Sequence, residues 1–299
     1  MISNNGVQEI LKGLSEDYCS RARELNVQGK KIIGYLCALT PTEIITAAGF
    51  VPFRIKGDVN EPISKADTQM ETIVCPLVRS CYDMALKGNY NFLSGIVIPH
   101  ACDSICRTYD TWKNTLNLPY SHMINMPHST DDSSLIFYKD LLNTFRKSIG
   151  KFAGKSISDN DLSIAVTAHN NYRASIRKLS ELRKTQPPSV SGSEITQILV
   201  ASMAIPVEEA TAFINRIINE VEKKVNVPPK KAARIMVVGA QIDDHSFIKL
   251  IEDSGGSMVI DDLCPGTREH WADVAVTADP MDGIAERYLR KVKCGRTYQ

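Results

Sequence analysis

The chain has 299 residues, long enough for roughly two domains of ordinary size. It is 43% hydrophobic and 23% charged with a formal net charge of +1, an ordinary soluble composition with no global field to draw nucleic acid or an anionic membrane. No stretch approaches the ~20 apolar residues of a membrane span, and the charged N-terminal segment lacks the apolar core of a signal peptide, so a cytoplasmic protein is expected.

Residues 6–27 read as an amphipathic helix, and 1–29 are expected to form an N-terminal helical piece. "KKIIGYLCAL" (30–39) reads as a first buried strand. "PTEIITAAGF" (41–50) reads as a helix, with Thr40 at the N-cap and Pro41 at the first helical position. "VPFRIKG" (51–57) is a second short strand. "CPLVRSCYDMALKGN" (75–89) repeats the proline start, with Cys75 near the cap and Pro76 opening the helix. "FLSGIVIPH" (92–100) is a continuous apolar run of strand length, followed by a helix from Cys102 and a strand over 120–127. Strand and helix alternate, so 30–132 is expected to be an α/β domain with a parallel sheet.

From 133 to 228 the periodicity is helical, interrupted by the breaker "TQPPSVSG" (185–192). "KKAARIMVVGAQIDD" (230–244) then begins a second α/β unit, with the helix "HSFIKLIEDSG" and the strand "GSMVIDDLC" (256–264). The expected fold is therefore α/β, two Rossmann- or flavodoxin-like parallel-sheet units joined by a helical segment. The second, 229–299, is expected to be partial. "GAQIDD" holds a single glycine and is no dinucleotide fingerprint.

Eight cysteines are too few for a disulfide scaffold, and most such thiols are small buried residues. Cys75, Cys81, Cys102 and Cys106 nevertheless cluster in sequence. In a parallel α/β sheet, ligands bind beyond the carboxyl ends of the strands, near the N-termini of the following helices. Cys75, Cys102 and Cys264 fall at such places, where exposed N–H groups favour a thiolate. Cys81 and Cys106 sit one turn inside their helices and read as packing residues. The spacing lacks the paired knuckles of a zinc finger and the ferredoxin run. By spacing alone, core thiols, a zinc site and an iron–sulfur site all stay open.

The same stretches carry a resemblance. "GYLCALTPTEIITAAGFVPFRI", "VCPLVRSCYDMALKGNYNFLSGIVIPHACDSICRTYDTWK" and "DDLCPGTR" resemble the 2-hydroxyacyl-CoA dehydratase/benzoyl-CoA reductase family, in order along essentially the whole chain. The resemblance implies a two-domain α/β protein that holds a [4Fe–4S] cluster on three cysteines, with one iron open to water or a thioester oxygen. Cys75 and Cys102 match the first two ligands. The family's third ligand lies in a later stretch, which implies a C-terminally truncated chain, or else Cys264 as a substitute, with Cys294 a further option. The implied chemistry is radical dehydration of a 2-hydroxyacyl-CoA, or reduction of an aromatic acyl-CoA, driven by a low-potential electron. It also implies a paralogous second subunit in a heterodimer and an ATP-dependent iron–sulfur activator protein.

His100, two residues before Cys102, is a candidate to contact the substrate or a cluster sulfide. Thr40 would present its hydroxyl at the same sheet edge. Arg79 and Arg107 could balance cluster or phosphate charge, or lie on helix surfaces. The competing readings are a cluster-free partner subunit of such a complex and a zinc-binding α/β protein. No nucleic-acid or membrane partner is expected.

Overall fold

A computed structural model describes residues 11, 13, 16–223 and 233–291. The chain divides into two compact units, one comprising Ala22–Thr167 with Val274–Gln299, the other Met1–Arg21 with Ala168–Asp273. The start of the N-terminal helix, the first residues of the expected second domain and Cys294 lie largely or wholly outside the described residues. Among the described residues no helix is long and apolar enough to cross a membrane.

The first unit is an α/β layer structure. After α1 (Ser20–Val27), β1 (Ile32–Tyr35), α2 (Thr42–Ala47), β2 (Val51–Arg54), α3 (Pro76–Leu86), β3 (Leu93–Pro99), α4 (Asp103–Thr115) and β4 (Ser121–Ile124) alternate. The four strands are all parallel, in the order β2-β1-β3-β4. The chain therefore steps from β1 to β2 on one side, then crosses back to place β3 on the other. That reversal makes a topological switch point between β1 and β3, where open α/β sheets form their ligand crevice.

β3 runs through the middle of this sheet, and its apolar sequence fits burial on both faces. Gly95 lets β4 approach closely, since a Cβ there would stand 2.6 Å from the Tyr120 carbonyl oxygen. Aromatic side chains of β2, of the connection into β3 and of α4 pack together: Phe53 lies edge-on to Phe92 at 5.2 Å, and Tyr90 stacks on Trp112 at 6.5 Å. Such rings add specific geometry to a large apolar burial. A second core gathers Ile33, Val97, Phe145 and Ile149 with residues of α5 (Asp132–Ala153), joined by Leu162 and Val166 from α6 (Asp159–Glu181).

The two compact units divide the chain at other places than the boundaries expected from the sequence. The helical segment is not a separate piece: α5 belongs wholly to the first unit, and α6 has its first residues there and the rest in the second. The C-terminal helix α10 (Pro280–Arg290), assigned by sequence to the second domain, packs on α5 in the first. Its Met281, Ile284 and Tyr288 are fully buried in the Ile33–Phe145 core. The reason is its apolar stripe, which fits a face that α2 and α5 leave uncovered.

In the second unit, the rest of α6, α7 (Gly192–Ser202) and α8 (Val207–Glu222) pack around Ile176, Ile198, Phe213 and Ile217. α7 went unread in the sequence. Its start carries a full capping box, Ser191 accepting the Glu194 N–H at 3.1 Å and Glu194 accepting the Ser191 N–H at 2.9 Å. A parallel pair, β5 (Ala233–Val238) and β6 (Gly256–Asp262), flanks α9 (His245–Asp253). Among the described residues β5 pairs with β6 alone, and its Met236 and Val238 are exposed.

Candidate functional site

Four connections reach the carboxyl edge of the first sheet, and each carries polar or sulfur-bearing residues. The loop after β1 holds Thr40. The one after β3 is short and holds His100 and Cys102, and the one after β4 holds Asn125 and His128. Cys75 closes the long connection after β2. α3 must run back along the sheet to feed β3, so its N-terminal end lies toward the carboxyl edge.

Cys75 is the N-cap residue of α3, with Pro76 at the first helical position. Its thiol makes no capping hydrogen bond. Arg79 holds the adjoining backbone, its Nε donating to the Val74 carbonyl at 3.0 Å while its guanidinium pairs with Asp67. Arg79 is thus occupied in fixing the approach to Cys75. Arg107 pairs with Asp103 at 3.3 Å on an exposed face of α4.

The connection before Cys75 is itself tied down by Asp83. One carboxylate oxygen accepts the backbone N–H groups of Ser64, Lys65 and Ala66 at 2.9, 2.6 and 2.9 Å, and Lys87 lies 2.9 Å from the other. Burial pushes the Asp83 pKa up, but the bonds from Ala66, Lys87, Ser64 and Lys65 outweigh it and hold the carboxyl below its usual value.

Cys102 is the N-cap residue of α4, in extended backbone conformation, also without a side-chain capping bond. Cys75 and Cys102 are each partly exposed, and neither is in a disulfide. Cys81, by contrast, is fully buried in α3. Cys106 is half-buried with its thiol 3.7 Å from Met123 Sδ, and burial raises its pKa.

His100 continues the ladder, its N–H donating to the Ile124 carbonyl at 2.8 Å. Its Nδ1 is hydrogen-bonded to Asn125 Oδ1 at 2.9 Å, and its ring meets that of His128 edge-on at 5.9 Å. A carboxamide oxygen only accepts, so the neutral ring carries its proton on Nδ1 and presents a lone pair at Nε2. Asn125 and His128 were missed in the sequence. The strand-edge rule that drew attention to His100 applies equally to "INMPH" after β4.

Thr40 is corrected as a cap. The N-cap residue of α2 is Pro41, and Thr40 makes no capping bond. Its N–H donates to the Cys37 carbonyl at 3.0 Å, which turns the loop before Pro41 can start the helix. The Thr40 hydroxyl is buried and has no hydrogen-bond partner. Such groups are uncommon, because an unmet buried hydroxyl is costly.

Cys264 stands after β6 in the second unit. It follows the strand, as the sequence reading has it, and the short turn Thr267–Glu269 comes after it. The chain cannot start a regular helix there because Asp261 holds it back, accepting the Thr267 N–H at 2.8 Å and pairing with the buried Arg183. Arg268 bonds Asp262 at 2.7 Å and the Gly239 carbonyl at 2.9 Å. The Cys264 N–H donates to Ala240 O at 2.8 Å, so the loops after β5 and β6 are knit together around it.

Two thiols at helix starts, not engaged in caps and partly exposed, are a donor set suited to a thiolate-held cluster. Among the described residues no group of three or more His, Cys, Asp or Glu stands close enough to hold a metal ion. The sequence profile described as "2-hydroxyglutaryl-CoA dehydratase, D-component" matches residues 37–299. The chain belongs to this family. It is 24% identical to the (R)-phenyllactyl-CoA dehydratase beta subunit of Clostridium sporogenes, over 92% of this chain and 73% of that protein. It is 26% identical to a benzoyl-CoA reductase subunit of Thauera aromatica, over 88% of this chain and 69% of that one. The (R)-2-hydroxyglutaryl-CoA dehydratase beta subunit of Acidaminococcus fermentans is 21% identical over 84% of this chain and 67% of its own length.

Proposed function

We propose that the chain is the iron–sulfur subunit of an acyl-CoA enzyme that either dehydrates a 2-hydroxyacyl-CoA or reduces an aromatic acyl-CoA. The observation that carries the reading is the placement of Cys75 and Cys102 as N-cap residues whose thiols do not cap, at the carboxyl edge of a parallel sheet whose strand order reverses beside β1. Family membership supports the acyl-CoA class.

In this reading Cys75 and Cys102 supply two thiolates to a [4Fe–4S] cluster. When bound, the cluster supplies low-potential electron transfer and a Lewis-acidic iron. The protein's own residues bind and orient the thioester. Thr40 brings an unpaired hydroxyl that can donate to a carbonyl oxygen as charge builds there. His100 accepts a proton or hydrogen bond at Nε2, and it donates there only as imidazolium. Asn125 fixes the ring from behind. The relatives are each designated as one subunit of an enzyme, which supports a paralogous partner for this chain. An ATP-driven activator protein and a cytoplasmic location belong to the same proposal.

Protein purified without oxygen tests it. The expected result is a brown protein absorbing broadly near 400 nm, with bound iron and sulfide that fall sharply in Cys75→Ser and Cys102→Ser. The second reading is a cluster-free partner subunit of the same family. Colourless, iron-free protein that still assembles with an active partner would decide for it. Zinc in place of iron would decide against both.

A further inference from the structure

The helix α10 comes from the far end of the chain, yet it and the residue after it bond to both sides of Thr40. Tyr288 Oη donates to Glu43 Oε2 at 2.8 Å, and Glu43 is fully buried in the first turn of α2. Lys291 Nζ donates to the Ala38 carbonyl at 2.9 Å, inside the loop between β1 and α2. The other end of α10 is also pinned, with Lys139 of α5 lying 2.7 Å from Asp279 and 2.5 Å from Asp282. Between Ala38 and Glu43 sits Thr40, with its buried and unpartnered hydroxyl.

A loop with that hydroxyl gains by turning it toward water or toward a backbone carbonyl. Something must hold the backbone against that gain. The two bonds from α10 grip the loop on either side of Thr40, one at a main-chain carbonyl and one at the helix it leads into. The core packing of Met281, Ile284 and Tyr288 keeps both donors in place.

We propose that Tyr288 and Lys291 are positioning residues that hold the β1–α2 loop so that the Thr40 hydroxyl is kept for the thioester oxygen of an acyl-CoA. The inference rests on the reading of Thr40 given above. Neither residue touches the ligand. They preorganise the group that does, which lowers the cost of binding by keeping that group from satisfying itself elsewhere.

The test uses the enzyme assembled with its partner subunit and activator, handled without oxygen. Lactoyl-CoA, phenyllactyl-CoA and benzoyl-CoA serve as probes, and the one turned over fastest is carried forward. Lys291→Met, Lys291→Arg, Tyr288→Phe, Thr40→Val and Lys291→Met with Thr40→Val are compared for kcat, KM, iron content and amide exchange over residues 36–41. Lys291→Met and Tyr288→Phe should speed exchange of the loop and lower kcat/KM about tenfold, the scale of one hydrogen bond, with iron content unchanged. Lys291→Arg keeps a donor and should restore most of the loss. In the Thr40→Val background Lys291→Met should cost little more, because the two changes act through one group.

Wild-type kinetics in Lys291→Met and Tyr288→Phe, while Thr40→Val is impaired, would overturn the positioning role alone. An equal further loss from Lys291→Met in the Thr40→Val background would overturn it too. Wild-type kinetics in Thr40→Val itself would instead remove the reading of Thr40, and this inference with it.

Discussion

Asp83 accepts the backbone N–H of Ala66 at 2.9 Å, and through the same oxygen it also holds Ser64 and Lys65. One carboxylate on α3 therefore fixes the connection that ends at Cys75. Replacing it with alanine leaves three backbone donors to find water and Lys87 with only Glu61 and the Pro62 carbonyl. Asp83→Ala should destabilise the protein by about 2–3 kcal/mol, the scale of lost hydrogen bonds to a charged group. Urea denaturation measures the loss, and amide exchange should locate it at residues 64–66. A change below about 0.5 kcal/mol would mean that the connection holds itself.

The Lys139 clamp on α10 should show in the pH dependence of stability. Bonds to Asp279 and Asp282 raise the Lys139 pKa, and the bond from Lys139 lowers that of Asp279 despite partial burial. A raised lysine pKa stabilises below the unfolded value and is lost as pH climbs through the folded one, above 10.5. A depressed carboxylate pKa stabilises above the unfolded value, 3.8, and is lost as pH falls through the folded one. The difference in urea midpoint between wild type and Lys139→Met should thus form a plateau at intermediate pH and close at both extremes. It should be small, because all three side chains are partly exposed. A difference that keeps growing beyond either limit would point to another cause.

The cysteines divide into two classes by burial and position. Cys81→Ala and Cys106→Ala should retain near wild-type iron after anaerobic purification, with Cys81→Ala costing about 1 kcal/mol for the small cavity. Cys75→Ser and Cys102→Ser should lose most of it. Iron loss in Cys81→Ala without unfolding, seen by circular dichroism, would show the wrong thiols were chosen.

Gly283 is where α10 approaches the backbone of the chain that enters it. A Cβ there would collide with the Ala275 carbonyl oxygen, which has no rotamer by which to retreat. Gly283→Ala should raise helix propensity yet destabilise by roughly 2–3 kcal/mol, as overpacking does. A thermal midpoint at or above wild type would mean that the entering segment gives way freely.

The elements of the α/β halves were legible because their signals are local. Apolar runs of strand length read as β1, β3 and β6, and Pro76 beside Cys75 marked the start of α3. Where the sequence reading missed a helix, a local signal was still there to be used. Ser191 and Glu194 form the capping box of α7, and Asp279 with Pro280 starts α10 as Cys75 with Pro76 starts α3.

Thr40 shows the limit of such signals. A threonine before a proline reads as an N-cap, and the backbone bond from Thr40 to Cys37 moves the cap to Pro41. The strand order β2-β1-β3-β4, and with it the neighbourhood of the loops that hold Thr40 and His100, depends on which edge of β1 receives β3. The bond from Tyr288 to Glu43 joins residues 245 positions apart. Periodicity and caps report the faces and ends of a single element. Which face covers which is set by complementarity between elements far apart in the chain, and no local pattern carries that, so the sequence by itself determined the elements and the tertiary structure decided where α10 lies and what it holds.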